Sequence, residues 1–404
     1  MQIASLLLAV LLLAGAAASR SKRTVTDAEV MKVHKSAILI DTHNDVTSET
    51  VRGLDFGRRR DQGHTDLPRL KEGGVGATFF AVYVPGAYVQ GNRAANRALQ
   101  MIDTVRYDIA AMHSGDIELV TSADGIVGAR KKGKFAALMG IEGGHAIEDS
   151  LRLLRDFYAL GVRYMTLTHS NSNHWADSSG DEKKPNNGLS PFGKEVVAEM
   201  NRLGMMVDIS HVSDKTFWDA LAISKAPIFA SHSSCRAIAP IPRNMTDEMI
   251  QALAKKGGVI QINFGCEFVN PAAARASTDP AVREKIRKAL EAMSGKSPEE
   301  RRAVTQKIRA ESGPRVRAAI DDVVAHIDHV VEIAGIDAVG IGSDFDGVSC
   351  VPEGLDDVSK YTNLTRRLLE SGYSAEEVRK IYGGNLLRVM RGVERAAATL
   401  QKPN

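Results

Sequence analysis

A chain of 404 residues with 25% charged and 44% hydrophobic side chains has the composition of a globular protein and can bury a large core. Its net charge of +3, without a block of like charge or any interleaving of aromatic and basic residues, argues against nucleic acid as a partner.

From Ile3 to Ala18 the chain is apolar apart from Ser5, and it ends in Ala16-Ala17-Ala18 ahead of the basic Arg20-Ser21-Lys22-Arg23. That length fits the h-region of a signal peptide with an A-x-A site, and it is short of the ~20 residues a membrane span needs. The expectation is export, periplasmic or secreted, with residues 1–18 removed, although Met1-Gln2 carries no Lys or Arg. Position 16 holds Ala where a lipobox needs Cys, and the C-terminal "AAATLQKPN" has no hydrophobic tail, so no stable membrane anchor is expected.

Beyond the leader, short runs rich in Val, Ile and Phe alternate with helical patterns over residues 24–400. Eight runs read as strands: "AILIDTHND" (37–45), "VGATFFAVYV" (75–84), "FAALMGIEGG" (135–144), "VRYMTLTHS" (162–170), "MMVDISHVS" (205–213), "PIFASHSS" (227–234), "GGVIQINFG" (257–265) and "AVGIGSDFDG" (338–347). None alternates cleanly with polar residues, which is the mark of parallel strands buried on both faces. Helix punctuation lies between them: Ser190-Pro191 opens a helix that Leu203-Gly204 closes, Ser213 and Thr246 are N-cap candidates, and Ser374 with Glu377 reads as a capping box. Eight alternations give the α/β class and a single (β/α)8 TIM barrel; a doubly wound sheet is the alternative, without a G-x-G-x-x-G to support it. Residues 270–315 break the rhythm with Lys, Arg and Glu. They read as a helical insertion between strands seven and eight, a solvated decoration before a lid.

Three cysteines, Cys235, Cys266 and Cys350, make no C-x-x-C pair, so a thiolate zinc site is not expected. At most one disulfide can form, and buried or free thiols are the simpler reading.

Six of the eight runs end in an ionisable side chain: His43 and Asp45, Glu142, His169, His211, His232, then Asp344 and Asp346. In a barrel of this kind all such ends converge on one face, where active sites are built. A single strand-end histidine is usually a hydrogen-bonded core residue. A crowd of them would suffer desolvation and repulsion unless cations compensate, and His-rich sites with a few carboxylates suit zinc or a similar divalent ion. His43 and Asp45, at i and i+2, share one side of an extended strand, and the two oxygens of Glu142 can bridge two ions. His34, His64, His113, His326 and His329 sit in helical or loop contexts without convergent partners; His145 and His174, near the mouth, are expected to stand behind the ligating residues and not among them.

The chain resembles the membrane (renal) dipeptidase family, peptidase family M19, a branch of the amidohydrolase-like metal-dependent barrels. The matching motifs run in order along nearly the whole chain: "DTHNDV" (41–46), "IEGGHAI" (141–147), "LTHSNSNHWADS" (167–178), "DISHVS" (208–213), "ASHSS" (230–234), "PRNMTDEMI" (242–250), "IGSDFDGV" (341–348) and "YGGNLLRV" (382–389). The resemblance implies a zinc dipeptidase with two Zn2+ per chain bridged by Glu142 and a hydroxide. His43 and Asp45 match ligands of one zinc, and His211 with His232 those of the other. His169 matches the histidine that polarises the scissile carbonyl, Arg243 the arginine that binds the substrate carboxylate, and Asp344 the acid/base. A bidentate Arg suits a free carboxylate, and Arg236 is a nearby rival for that role. The family also suggests a homodimer; its mammalian members carry disulfides and a lipid anchor for which this chain offers too few cysteines and no tail. Two other readings stand beside this one: a hydrolase of the same fold acting on another small amide or β-lactam, and a non-catalytic exported binding protein.

Overall fold

The computed structural model describes residues 20–402 apart from 294, 297 and 313–315, so the expected leader, residues 1–18, lies outside the described residues. Among the described residues nine strands form: β1 Leu39–Asn44, β2 Val75–Tyr83, β3 Ile117–Leu119, β4 Phe135–Glu142, β5 Val162–Thr166, β6 Met206–Asp208, β7 Phe229–Ser233, β8 Val259–Ile262 and β9 Val339–Ile341. All pair in parallel, and eight of them follow the order β1-β2-β4-β5-β6-β7-β8-β9, with β3 off this path beside β4. An Asn44–Phe345 bridge, with Asp45 N donating to Phe345 O at 2.9 Å and Asp344 N to His43 O at 3.1 Å, joins the last strand's extension to the first. The result is the nearly closed (β/α)8 barrel expected from the alternation.

Its ninth strand was not expected. β3 pairs Ile117 with Phe135 and Leu119 with Ala137, along the half of β4 that β5 leaves uncovered until Met139. Three residues of "IEL" between turns are too few to carry a periodic signal.

Continuous apolar strands arise because each has a face toward the barrel interior and a face toward the helices. On β4, Ala136 and Leu138 pack inward with Ile40, Phe79, Tyr164 and Phe229, while Ala137, Met139 and Ile141 pack outward. The period of two puts Gly140 and Glu142 on the inner side. A Cβ at Gly140 would sit 1.9 Å from the Tyr164 ring, so only glycine there lets the tyrosine cross the barrel beneath the site.

The helix signals fall where the punctuation set them. Pro191–Leu203 begins at a Ser190 cap and stops at left-handed Gly204, while Ser213 and Thr246 cap Asp214–Ile223 and Asp247–Lys255. Ser374 and Glu377 form the expected capping box, after which a π-turn at Lys380–Gly384 leads into Asn385–Leu400. Among the described residues no helix is long and apolar enough to cross a membrane.

Two expectations are corrected. The described part of the 270–315 insertion forms helices Pro271–Ser277, Pro280–Ala292 and Pro298–Glu311, but it is more than a solvated decoration, because Leu290, Arg301 and Thr305 line a cavity at the barrel rim. Cys266 and Cys350 form a disulfide, with only Cys235 left free and buried. Sequence spacing could not pair them, since they lie 84 residues apart and meet only when the loops after β8 and β9 come together. Closing a loop of that size stabilises by about 4–5 kcal/mol at most in the chain-entropy account. A Cys266→Ser/Cys350→Ser protein should lose about 2–4 kcal/mol of unfolding free energy in a urea titration; an unchanged midpoint would mean that the bridge does not form.

Candidate active site

At the C-terminal rim of the barrel, Glu142 is the hub. Its Oε1 lies 3.0 Å from His211 Nε2, 3.3 Å from His232 Nε2, 3.5 Å from His43 Nε2 and 3.7 Å from His169 Nε2. Asp45 Oδ2 is 3.3 Å from His43 Nε2, the His43 and His232 rings stack with centroids 3.7 Å apart, and His211 Nε2 is 3.0 Å from His232 Nε2. Donor atoms of His43, Glu142 and His232, of Glu142, His169 and His211, and of His43, Asp45 and Asp344 each fall within 4.8 Å of one another. His43, Asp45, Glu142, His169, His211, His232 and Asp344 are therefore brought together. His169, His211 and Asp344 lie on loops just beyond their strands, since β5, β6 and β9 end at Thr166, Asp208 and Ile341.

Two of these side chains sit on backbone that L-residues seldom adopt. His211 has φ 67° and Asp344 φ 62°, a left-handed conformation costing about 1–2 kcal/mol at each non-glycine position. Such strain persists where surrounding contacts impose it, and it is concentrated at functional turns.

Hydrogen bonds under the rim fix the imidazole tautomers. Tyr164 donates its hydroxyl to Thr42 O at 3.1 Å, so it accepts from His43 Nδ1 at 2.8 Å. Ser231 likewise donates to Asp208 Oδ2 at 2.6 Å and accepts from His232 Nδ1 at 2.7 Å. In both rings Nδ1 carries a proton, so Nε2 is the nitrogen that faces Glu142 and is left to bind an ion. Asp208 is itself held by Thr166, Ser210 and Ser231, so it orients His232 through the serine.

The electrostatics of this cluster pull in opposite directions. Burial pushes Glu142 up, yet His43, His169 and the close His211 and His232 imidazoles hold it well below the usual carboxylate range. Burial and then the Arg243 charge depress His211, while burial, His43 and Arg243 depress His232. Burial works against protonation of His43 too, but Tyr164, Glu142 and Asp45 raise it well above the usual value. Burial and the Asp45 charge raise Asp344 well above its usual range, although Asn263 Nδ2 donates to its Oδ2 at 2.8 Å.

These residues fit a divalent-ion centre. His43 Nε2 is buried without a hydrogen-bond partner, and a set of imidazole nitrogens with a few carboxylate oxygens is the chemistry of zinc and its neighbours.

The two candidate arginines separate clearly. Arg236 is spent on structure: its two Nη atoms reach the Asp214 carboxylate at 2.7 Å and its Nε donates to Asn244 O. Arg243 donates to His232 O and Ser233 Oγ, both at 2.7 Å, and its Nε is buried without a partner. Burial lowers Arg243 to about 10, so it stays cationic at neutral pH, with Asp344, Asp208 and Glu142 opposing the fall.

A cavity of about 420 Å³ opens above the hub, walled by Asp45, Tyr83, Glu142, His169, Phe268 and Asp344, with Leu290 and Arg301 at its outer side. Tyr83, Asn263 and Phe268 were not singled out in the sequence. Asn263 and Tyr83 close the two strands that end without an ionisable residue, so a search for any polar strand end would have found them. The remaining histidines play other parts. His145 Nε2 bonds Val84 O at 2.8 Å, and burial and then His169 lower it to about 4; His174 is exposed and pairs with Asp149. His34 and His326 are core residues bonded to Thr365 and Val269. His64 does have a convergent partner, Asp346, which turns away from the hub.

Known proteins share the fold and much of the sequence. An uncharacterized dipeptidase of Schizosaccharomyces pombe is 34% identical over 404 residues, spanning 95% of this chain and 87% of that protein. The probable dipeptidase PvdM from Pseudomonas aeruginosa superposes with a TM-score of 0.78 at 28% identity, over 92% of this chain and 98% of its own. A metallo peptidase from Rhodobacter sphaeroides, solved with a phosphinate mimic of L-Ala-D-Ala, does so at 0.72 and 26% identity, over 88% and 99% of the two chains. The family model of membrane dipeptidases matches residues 27–404, and the chain belongs to the membrane dipeptidase family, peptidase family M19.

Proposed function

We propose that this protein is an exported, zinc-dependent dipeptidase that cleaves the peptide bond of dipeptides, L-D pairs included. The observation that carries the reading is the meeting of three imidazole Nε2 atoms, from three different strand ends, within 3.0–3.5 Å of one oxygen of Glu142. His43 and Asp45 would hold one ion, His211 and His232 the other, and Glu142 both. A pair of divalent ions there would supply Lewis acidity toward the scissile carbonyl and acidify the attacking water.

This chain's residues do the rest. Arg243 receives the substrate's free carboxylate on its unpartnered Nε side, one residue from the cut. His169, on the cavity wall, donates a hydrogen bond to the carbonyl oxygen as negative charge develops there. Asp344 accepts a proton from the attacking water and returns it to the leaving amine nitrogen. Export rests on the apolar run Ile3–Ala18 and its alanine-rich end.

Purified protein supplied with zinc should hydrolyse members of a panel of L-L and L-D dipeptides and fail on the same dipeptides carrying a C-terminal amide. Arg243→Ala should lower kcat/KM by about 10²–10³-fold, mostly through KM. No turnover in the panel despite full metal content would sink the reading. Full activity in Arg243→Ala would move it to a small amide or β-lactam without a free carboxylate.

A further inference from the structure

The proposed base, Asp344, belongs to the turn Ser343-Asp344-Phe345-Asp346-Gly347, in which Asp344 and Asp346 adopt φ 62° and 65°. One side of the turn is zipped to β1 through His43 O and Asp45 N. The other side is gripped from the β1–β2 loop by a reciprocal pair of hydrogen bonds. His64 N donates to Asp346 Oδ1 at 2.8 Å, and Asp346 N donates to His64 Nδ1 at 2.9 Å.

Several features keep this clasp closed. His64 O accepts from Val358 N at 3.1 Å, and the His64 ring lies 5.4 Å from that of Phe345. Arg60 Nη1 stands 3.6 Å from Asp346 Oδ1. A Cβ on Gly63, itself at φ 75°, would come within 2.7 Å of Asp346 Oδ1, so the residue before His64 must be glycine for the loop to approach. Burial lowers the pKa of His64, which leaves Nδ1 an acceptor at neutral pH.

We infer that His64 is a positioning residue: by clasping Asp346 it holds the left-handed turn that aims the Asp344 carboxylate into the cavity. His64 touches neither the hub nor the substrate space. The inference rests on the base role proposed for Asp344, and it concerns a residue outside every motif the family resemblance draws on. A side chain that fixes the aim of a base affects the chemical step and leaves ground-state binding alone.

The test uses the zinc-loaded full chain with His64→Leu, which removes the acceptor, and His64→Asn, whose Oδ1 can take the place of Nδ1. His64→Leu should lower kcat about 10–100-fold, with KM and metal content within about twofold of the unaltered protein, and His64→Asn should restore most of kcat. Amide exchange across residues 343–348 should speed up in His64→Leu only. Unaltered kcat and exchange in His64→Leu would overturn the clasp, and so would equal losses in the two variants. If the unaltered protein cleaves no dipeptide while the exchange pattern holds, the dipeptidase reading falls and the clasp stands.

Discussion

Glu142→Ala should hold at most one divalent ion per chain by elemental analysis and lose at least about 10³-fold in kcat. Among the described residues Glu142 is the one acid whose oxygen lies within 3.5 Å of the Nε2 atoms of His43, His211 and His232 together. Two dications about 4 Å apart repel by on the order of 15 kcal/mol even at an effective dielectric near 20, and an anion between them offsets much of that. Without it, filling the first position opposes filling the second. Stability gives a second readout, because an ion that binds only the folded chain adds RT ln(1 + [L]/Kd), about 2.7 kcal/mol at a hundredfold excess over Kd. Titrating zinc into the metal-free unaltered protein should therefore raise Tm in two stages, and into Glu142→Ala in one. Glu142→Gln keeps the shape and removes the charge, so it should resemble the alanine variant. Two ions per chain in either variant would refute the hub assignment.

Much of the barrel and its centre could be read from the sequence, because both depend on local rules. Strands buried on two faces must be apolar throughout, so a carboxylate or imidazole at the end of such a run is conspicuous; that rule alone located Glu142, His211 and His232. Parity did the same for His43 and Asp45. What escaped depends on contacts between distant segments. β3 is three residues long and exists because the first half of β4 would otherwise have an open edge. The Cys266–Cys350 bridge forms only where two loops meet across the rim. Insertion residues Leu290, Arg301 and Thr305 look like any surface positions of charged helices until the chain folds back over the cavity. His64 is the clearest case. Its loop has no periodicity, and its partner Asp346 reads in the sequence as one more strand-end acid, whereas the left-handed turn sends Asp344 inward and Asp346 outward. Tyr164 reads as one more aromatic in a buried strand, and only Gly140 opposite shows that its hydroxyl is meant to reach His43.

Asp344→Asn should keep both ions and lower kcat by about 10²–10⁴-fold, with KM little changed. The amide is nearly the same shape and can still accept from Asn263 Nδ2, now 2.8 Å from Oδ2, so the turn is kept. What disappears is the capacity to take a proton from water. The rise of kcat/KM with pH that belongs to the free enzyme's base should vanish with it. The metal-free protein supplies an independent check of sign. There burial and Asp45 raise the folded pKa of Asp344 well above its unfolded value, so the unfolded chain releases that proton first as pH rises. Ionisation in the unfolded state then drains stability from the native state between the two pKa values, and the loss is complete above the folded one. Asparagine carries no such penalty. Metal-free Asp344→Asn should thus be more stable than the unaltered chain at neutral pH, with the advantage shrinking as pH falls through the carboxylate range. An enzyme made slower yet more stable when metal-free is the signature of an acid kept for chemistry at the expense of the fold. A variant with unaltered kcat would remove Asp344 from the proton path.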